Sequence, residues 1–182
     1  MRRLVVVSSF LLATACVTAR PCAPRGDGPL LALSPGSLGA ELHLAQRVTV
    51  VRGDSTWGFD ALLEADATEV RLAAFVMGQT MVRLTWNGRS LEEEHSARAP
   101  DIITPARILS DVQLAFWPSE AIREGLPEHF ALDEGPNERS ITQDGKPFAQ
   151  LTYIGTPPVW SRVELTHQAY GYRLTIESKE AP

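Results

Sequence analysis

Cysteine is nearly absent from this sequence. There are two in 182 residues, Cys16 and Cys22, and both lie near the N-terminus. That excludes a disulfide framework for the rest of the chain, and with it a Cys-ligated zinc core. Positive charge is sparse too: 17 Lys+Arg stand against 22 Asp+Glu, a formal net charge of −5, and no basic block stands out. A nucleic-acid partner is therefore not expected. No apolar run approaches the ~20 residues that a membrane-spanning helix needs. The G-x-S-x-G, G-x-G-x-x-G, Walker and H-E-x-x-H motifs are all missing. The four histidines, His43, His95, His129 and His167, share no ligand spacing. The expectation is a chain with no metal, no cofactor and no catalytic constellation, hence not an enzyme. What is present, 44% hydrophobic and 21% charged residues, is the composition of an ordinary folded domain and excludes wholesale disorder.

The first residues have the layout of an address. Met1-Arg2-Arg3 is a positive start, Leu4 to Leu12 is a short apolar stretch, and Ala13-Thr14-Ala15 precedes Cys16. This matches a bacterial secretory signal over residues 1–15. Two readings of the junction stay open. Ala13-Thr14-Ala15 is an ordinary A-x-A cleavage site, which would release a soluble periplasmic protein. Followed at once by Cys16, it also resembles a lipobox, in which Cys16 is lipidated; Ala13 stands where that motif usually carries Leu. A Cys directly at the junction favours the lipoprotein, and Val17 after it resembles the sorting signal for the outer membrane. In the competing reading Cys16 pairs with Cys22, which the periplasm permits. Residues 16–37 carry Pro21, Pro24, Pro29, Pro35, Gly26, Gly28 and Gly36 without a period and read as a tether, with Leu30, Leu31 and Leu33 at its end as candidates to pack on the domain. A flexible tether of ~20 residues spans roughly 25 Å.

From residue 38 on, the chain reads as one domain. Val48 and Val50, then Trp57, Phe59, Ala61, Leu63 and Ala65, then Val70, Leu72, Ala74 and Val76, then Val82, Leu84 and Trp86 alternate with other residues. That is the pattern of half-buried antiparallel strands. Gly53-Asp54-Ser55, Asp66-Ala67-Thr68, Gly78-Gln79 and Asn87-Gly88 punctuate them, and Asn87-Gly88 predicts a type I′ hairpin. The Glu92-Glu93-Glu94 run of the returning strand suits a charged, solvated edge. Mid-chain the period changes. Thr104-Pro105 caps a helix whose apolar stripe is Ile108, Leu109, Val112, Ala115 and Phe116, and Trp117-Pro118 ends it. A second short helix is expected over 119–124, capped by Ser119 and stopped by Gly125 and Pro127. Strands then resume, with Asp144-Gly145 as a second hairpin signal. Asp101, Asp111 and Glu120 read as helix-end or solvated charges, and Arg139 as a structural strand arginine with a carboxylate partner. The predicted fold is mainly β, an antiparallel sheet curled around a central helix as an unclosed barrel.

These residues resemble the DUF3261 family of bacterial lipoproteins. The stretches that carry the resemblance are Gln46-Arg47-Val48, Phe59 to Asp66, Met77-Gly78-Gln79, Trp86-Asn87-Gly88, Tyr170 to Leu174 and above all Ile108 to Pro118. The strand–helix–strand order is also similar to the LolA/LolB group of periplasmic lipoprotein carriers. That similarity implies a half-barrel lidded by helices, which binds acyl chains. By the same similarity Met77 is the apolar tip of a protruding loop, with packing of Met77 under the sheet as the competing reading.

The functional expectation is an outer-membrane lipoprotein that binds or passes on a lipid or acylated ligand in an apolar cavity. Trp57, Phe59, Leu72, Trp86, Leu114 and Phe116 are the expected lining. The expected partners are an acyl chain or lipid-like ligand, the membrane through Cys16, and a periplasmic carrier protein. The alternative is a non-catalytic envelope assembly lipoprotein that binds another protein. For the aromatic residues, including Trp117, Phe130, Phe148, Tyr153, Tyr170 and Tyr172, a filled core competes with a cavity.

Overall fold

A computed structural model of the chain describes residues 30–99 and 104–181. The signal, Cys16, Cys22, Asp101 and the first part of the expected tether lie outside the described residues. The strands are β1 (Leu42–Arg52), β2 (Ser55–Ala65), β3 (Val70–Val76), β4 (Gln79–Trp86), β5 (Leu91–His95), β6 (Phe130–Gly135), β7 (Glu138–Gln143), β8 (Lys146–Gly155), β9 (Trp160–His167) and β10 (Tyr172–Glu180). Between β5 and β6 lie helices α1 (Pro105–Phe116) and α2 (Ser119–Gly125).

All ten strands form one antiparallel sheet in the order β5-β4-β3-β2-β1-β10-β9-β8-β7-β6. Each half is a meander of sequence neighbours, and the pairing of β1 with β10 joins the halves. β5 and β6 do not pair, so the barrel stays open as expected. β1 and β2 hold an unbroken register from Leu42↔Ala65 to Arg52↔Ser55. The period-two pattern therefore puts Leu42, Leu44 and Val50 with Phe59, Ala61 and Leu63 on one buried face. α1 lies against that face, with β4 and β5 as its nearest sheet neighbours.

The turns follow their sequence signals with one exception. Asp144 and Gly145 both take left-handed φ, 50° and 73°, as a two-residue type I′ turn requires, and Met77 and Gly78 do the same at 49° and 76°. Asn87-Gly88 does not form the predicted type I′ turn. Trp86 pairs with Leu91, so a longer loop intervenes, and only Gly88 has positive φ, at 85°. The reason is the Asn87 side chain, whose Oδ1 accepts the N–H groups of Arg89 and Ser90, both at 3.0 Å. The acidic strand β5 is exposed at the sheet edge, as its charges suggested.

Thr104 caps α1 as expected, accepting the Arg107 N–H at 3.3 Å. Ser119 does not cap α2: it is the first helical residue, and Pro118 occupies the cap. At the start of the domain Leu30, Leu31 and Leu33 pack on it, as their place at the end of the tether allowed. Residues 30–38, the end of the expected tether, are folded as a strap over α1, with Leu31, Leu33 and Leu38 buried. Polar residues of α1 receive the strap backbone. Leu31 N–H donates to Ser110 Oγ (3.3 Å), and Leu33 N–H donates to Gln113 Oε1 (3.0 Å). In return, Gln113 Nε2 donates to the Leu33 carbonyl at 3.1 Å. Sheet on one side and strap on the other leave α1 buried all round from Leu109 to Phe116.

Candidate ligand-binding cleft

The two ends of α1 are held differently. At its C-terminus the buried Arg139 guanidinium donates to the carbonyls of Leu114 (3.0 Å) and Trp117 (2.8 Å), and to Glu134 at 3.1 Å. Tyr153 OH donates to the Leu114 carbonyl at 3.3 Å, and Trp117 Nε1 donates to Ser37 Oγ at 3.1 Å. The Arg139 and Tyr153 donors answer carbonyls that a helix end leaves without intrahelical partners, and Trp117 Nε1 ties the same end to the strap. Arg139 thus has the structural, carboxylate-paired role read from its strand position.

Under the N-terminal half of α1 the packing opens. Ile108, Asp111 and Val112 face Val48 and Val50 of β1, Phe59 and Ala61 of β2, Leu72 and Ala74 of β3, and Leu174 and Ile176 of β10. Between them lies a cleft of about 90 Å³, open on one side and walled almost wholly by apolar groups. A water molecule's share of liquid volume is about 30 Å³, so the cleft has room for only a short stretch of apolar chain as it stands.

Of the six residues expected to line a cavity, Phe59 and Leu72 do so. Trp57 does not: it is half-buried and borders a separate open depression beside Val76, Met77, Met81 and Arg98. Trp86 is core, with its Nε1–H donated to the Leu33 carbonyl at 2.7 Å under the strap. Leu114 and Phe116 are buried at the pinned end of α1, away from the cleft. Met77 is not packed under the sheet. It stands 97% exposed at the tip of the β3–β4 hairpin.

No local pattern in the sequence marks the polar wall of the cleft. Asp111 is buried and accepts the Tyr172 hydroxyl on Oδ2 at 2.6 Å. It is a cleft residue, not the solvated helix-end charge that its surroundings in sequence suggested, because this face of α1 lies against β10. Burial pushes its carboxyl up to about 7, against the opposing pull of the Tyr172 hydrogen bond and the Arg107 charge. Gln46, also buried, lines the cleft and donates through Nε2 to Ser178 Oγ at 3.1 Å. Arg107 lies at the same wall with its guanidinium 4.3 Å over the Tyr170 ring. Behind Tyr172, the His167 ring packs among Phe148, Tyr170 and Tyr172 at centroid distances of 4.6, 4.2 and 5.1 Å. Its Nδ1 is buried without a hydrogen-bond partner. Burial, helped by the Arg107 charge, pushes the imidazole down to about 4. Among the described residues no group of His, Cys, Asp or Glu is arranged to hold a metal, and no helix is long and apolar enough to cross a membrane.

Comparison with known proteins adds a family. No curated protein matches the chain significantly. Among solved structures, the chain is similar to a DUF1329 family protein from Desulfovibrio piger. The identity is 8% and the TM-score 0.34, over 84% of this chain and 92% of that one. The family profile described as "Protein of unknown function (DUF3261)" matches residues 43–180, from β1 through β10. On that match, which takes in the whole sheet and both helices, the chain belongs to the DUF3261 family.

Proposed function

We propose that this protein binds the apolar chain of a lipid or acylated ligand in the cleft beneath α1. It does so as a lipoprotein anchored through Cys16 to the bacterial outer membrane, and it has no catalytic role. The observation that carries the reading is the cleft itself: an opening with apolar walls between a sheet and a helix, where protein interiors are otherwise close-packed. Burial of apolar chain supplies the affinity. The pinned C-terminal end of α1 and its looser N-terminal half suit a helix that lifts to admit a chain longer than the cleft now holds. Resemblance to the LolA/LolB carriers supports the same reading. The exposed Met77 tip, beside the depression bordered by Trp57, is the point of contact with the carrier or membrane that delivers the ligand.

The test uses the full-length chain carrying Cys16→Ser, which removes any lipid anchor. Nile red bound to the protein should be displaced saturably by n-alkanols. Ala74→Phe, which fills the cleft from β3, should abolish displacement while the protein stays folded. Absence of saturable binding sinks the proposal. Met77→Asp should leave the equilibrium affinity unchanged and slow uptake of the ligand from phospholipid vesicles, read by stopped-flow fluorescence. An unchanged rate would remove the tip from the delivery step.

A further inference from the structure

The cleft carries polar groups that an acyl-chain site does not need. Two acidic or amide side chains are buried in its wall, Asp111 from α1 and Gln46 from β1. Their bonded atoms are accounted for. Tyr172 donates to Asp111 Oδ2 at 2.6 Å, and Gln46 Nε2 donates to Ser178 at 3.1 Å. Those two bonds use Asp111 Oδ2 and Gln46 Nε2, which leaves Asp111 Oδ1 and Gln46 Oε1 as the remaining acceptors of these two residues at an otherwise apolar wall. Burying a carboxyl this way is costly unless a donor meets it.

Resting on the reading of the cleft as a chain-binding site, we propose that Asp111 and Gln46 recognise the head of the ligand, and that this head is a hydrogen-bond donor: an ammonium, hydroxyl or amide N–H attached to the apolar chain. A carboxylate or phosphate head brings acceptors against acceptors. It would have to find its counter-charge at Arg107, whose guanidinium lies over Tyr170.

The experiment is calorimetric titration of the full-length Cys16→Ser chain at pH 7.5 with decylamine, decanol and decanoate, which share one chain and differ in the head. Decylamine and decanol are expected to bind at least tenfold more tightly than decanoate. Asp111→Asn, whose amide keeps the shape, should lose most of the decylamine preference. Asp111→Leu should bind all three alike. Decylamine ahead of decanol identifies an ammonium ligand; equal affinity identifies a neutral donor. Equal binding of all three by the unmodified site, or decanoate binding tightest, overturns the head assignment and leaves chain binding standing. No binding of any of the three overturns the chain-binding reading and the head assignment together. The wild-type comparison needs no variant to fold, and circular dichroism establishes the fold of the two variants.

Discussion

At the scale of single residues, three buried polar side chains set the sharpest expectations. Asp111 is held above the ordinary carboxylate range and His167 below the ordinary imidazole range, both mainly by burial. Their effects on stability run in opposite directions. With Asp111 raised to about 7, its share of stability is full below about pH 4 and is lost as pH rises through 7. With His167 lowered to about 4, its share is full above about pH 6.5 and is lost as pH falls through 4. Asp111→Asn should therefore remove the decline toward neutral pH, leaving acid sensitivity alone. His167→Gln should remove the acid loss, on the order of 2 kcal/mol. Urea midpoints measured from pH 4 to 8 check both, and parallel curves for wild type and variants would refute them. Arg139 is the third case. Arg139→Met should cost about 3 kcal/mol, because it strands the Leu114 and Trp117 carbonyls and Glu134 together. A change below 1 kcal/mol in the urea midpoint would show that water replaces the guanidinium freely. Arg139 was legible in the sequence as a charged residue inside an apolar strand pattern. Asp111 was not: its enclosure depends on Tyr172, sixty-one positions away, and no local pattern encodes that contact.

At the scale of elements, what the sequence showed depended on whether the signal is local. Strand alternation, the Thr104-Pro105 cap and the Asp144-Gly145 turn are written in adjacent residues, and each stands where its pattern put it. The strap is different. Residues 30–38 have no period, because an extended stretch followed by a single 3-10 turn over Pro35–Leu38 is too short to show one. Its trace lay in Leu30, Leu31 and Leu33, whereas its hydrogen bonds to Ser110 and Gln113 join residues 79 and 80 positions apart and leave no local pattern. Gly125 carries the same contact. Read as a helix stop, it also makes room: a methyl group there would collide with the Leu33 side chain of the strap. Gly125→Ala should gain helix propensity of ~1 kcal/mol and still destabilise the protein by about 1–2 kcal/mol net through overpacking. Adding Leu33→Ala, which removes the colliding group, should recover helix propensity. The double variant should then be more stable than Leu33→Ala alone, in a thermal or urea double-mutant cycle. Simple additivity of the two changes would mean that strap and helix end are not in contact.

At the scale of the whole molecule, the fold sets how binding energy can scale with the ligand. In a sheet open between β5 and β6, with one helix pinned at its C-terminal end, the cleft enlarges most directly by movement of the other end of that helix. The cleft of about 90 Å³ accommodates roughly three methylenes at about 30 Å³ each. Within that room each added carbon of an n-alkanol should contribute ~0.8 kcal/mol, roughly fourfold in affinity. Beyond it, each carbon must part Ile108 and Val112 from the sheet, so apolar surface gained by the ligand is offset by surface lost between helix and strands. The plot of log affinity against chain length should therefore bend to a shallower slope. Ile108→Ala removes three carbons from the helix side of the cleft. It should move the bend to longer chains by about three carbons without changing the initial slope. A straight line through all chain lengths, or a bend that ignores Ile108→Ala, would place the chain somewhere other than beneath α1. Because the bend is set by the geometry of one helix over one sheet, it separates a built cleft from loose apolar adsorption, which has no such limit.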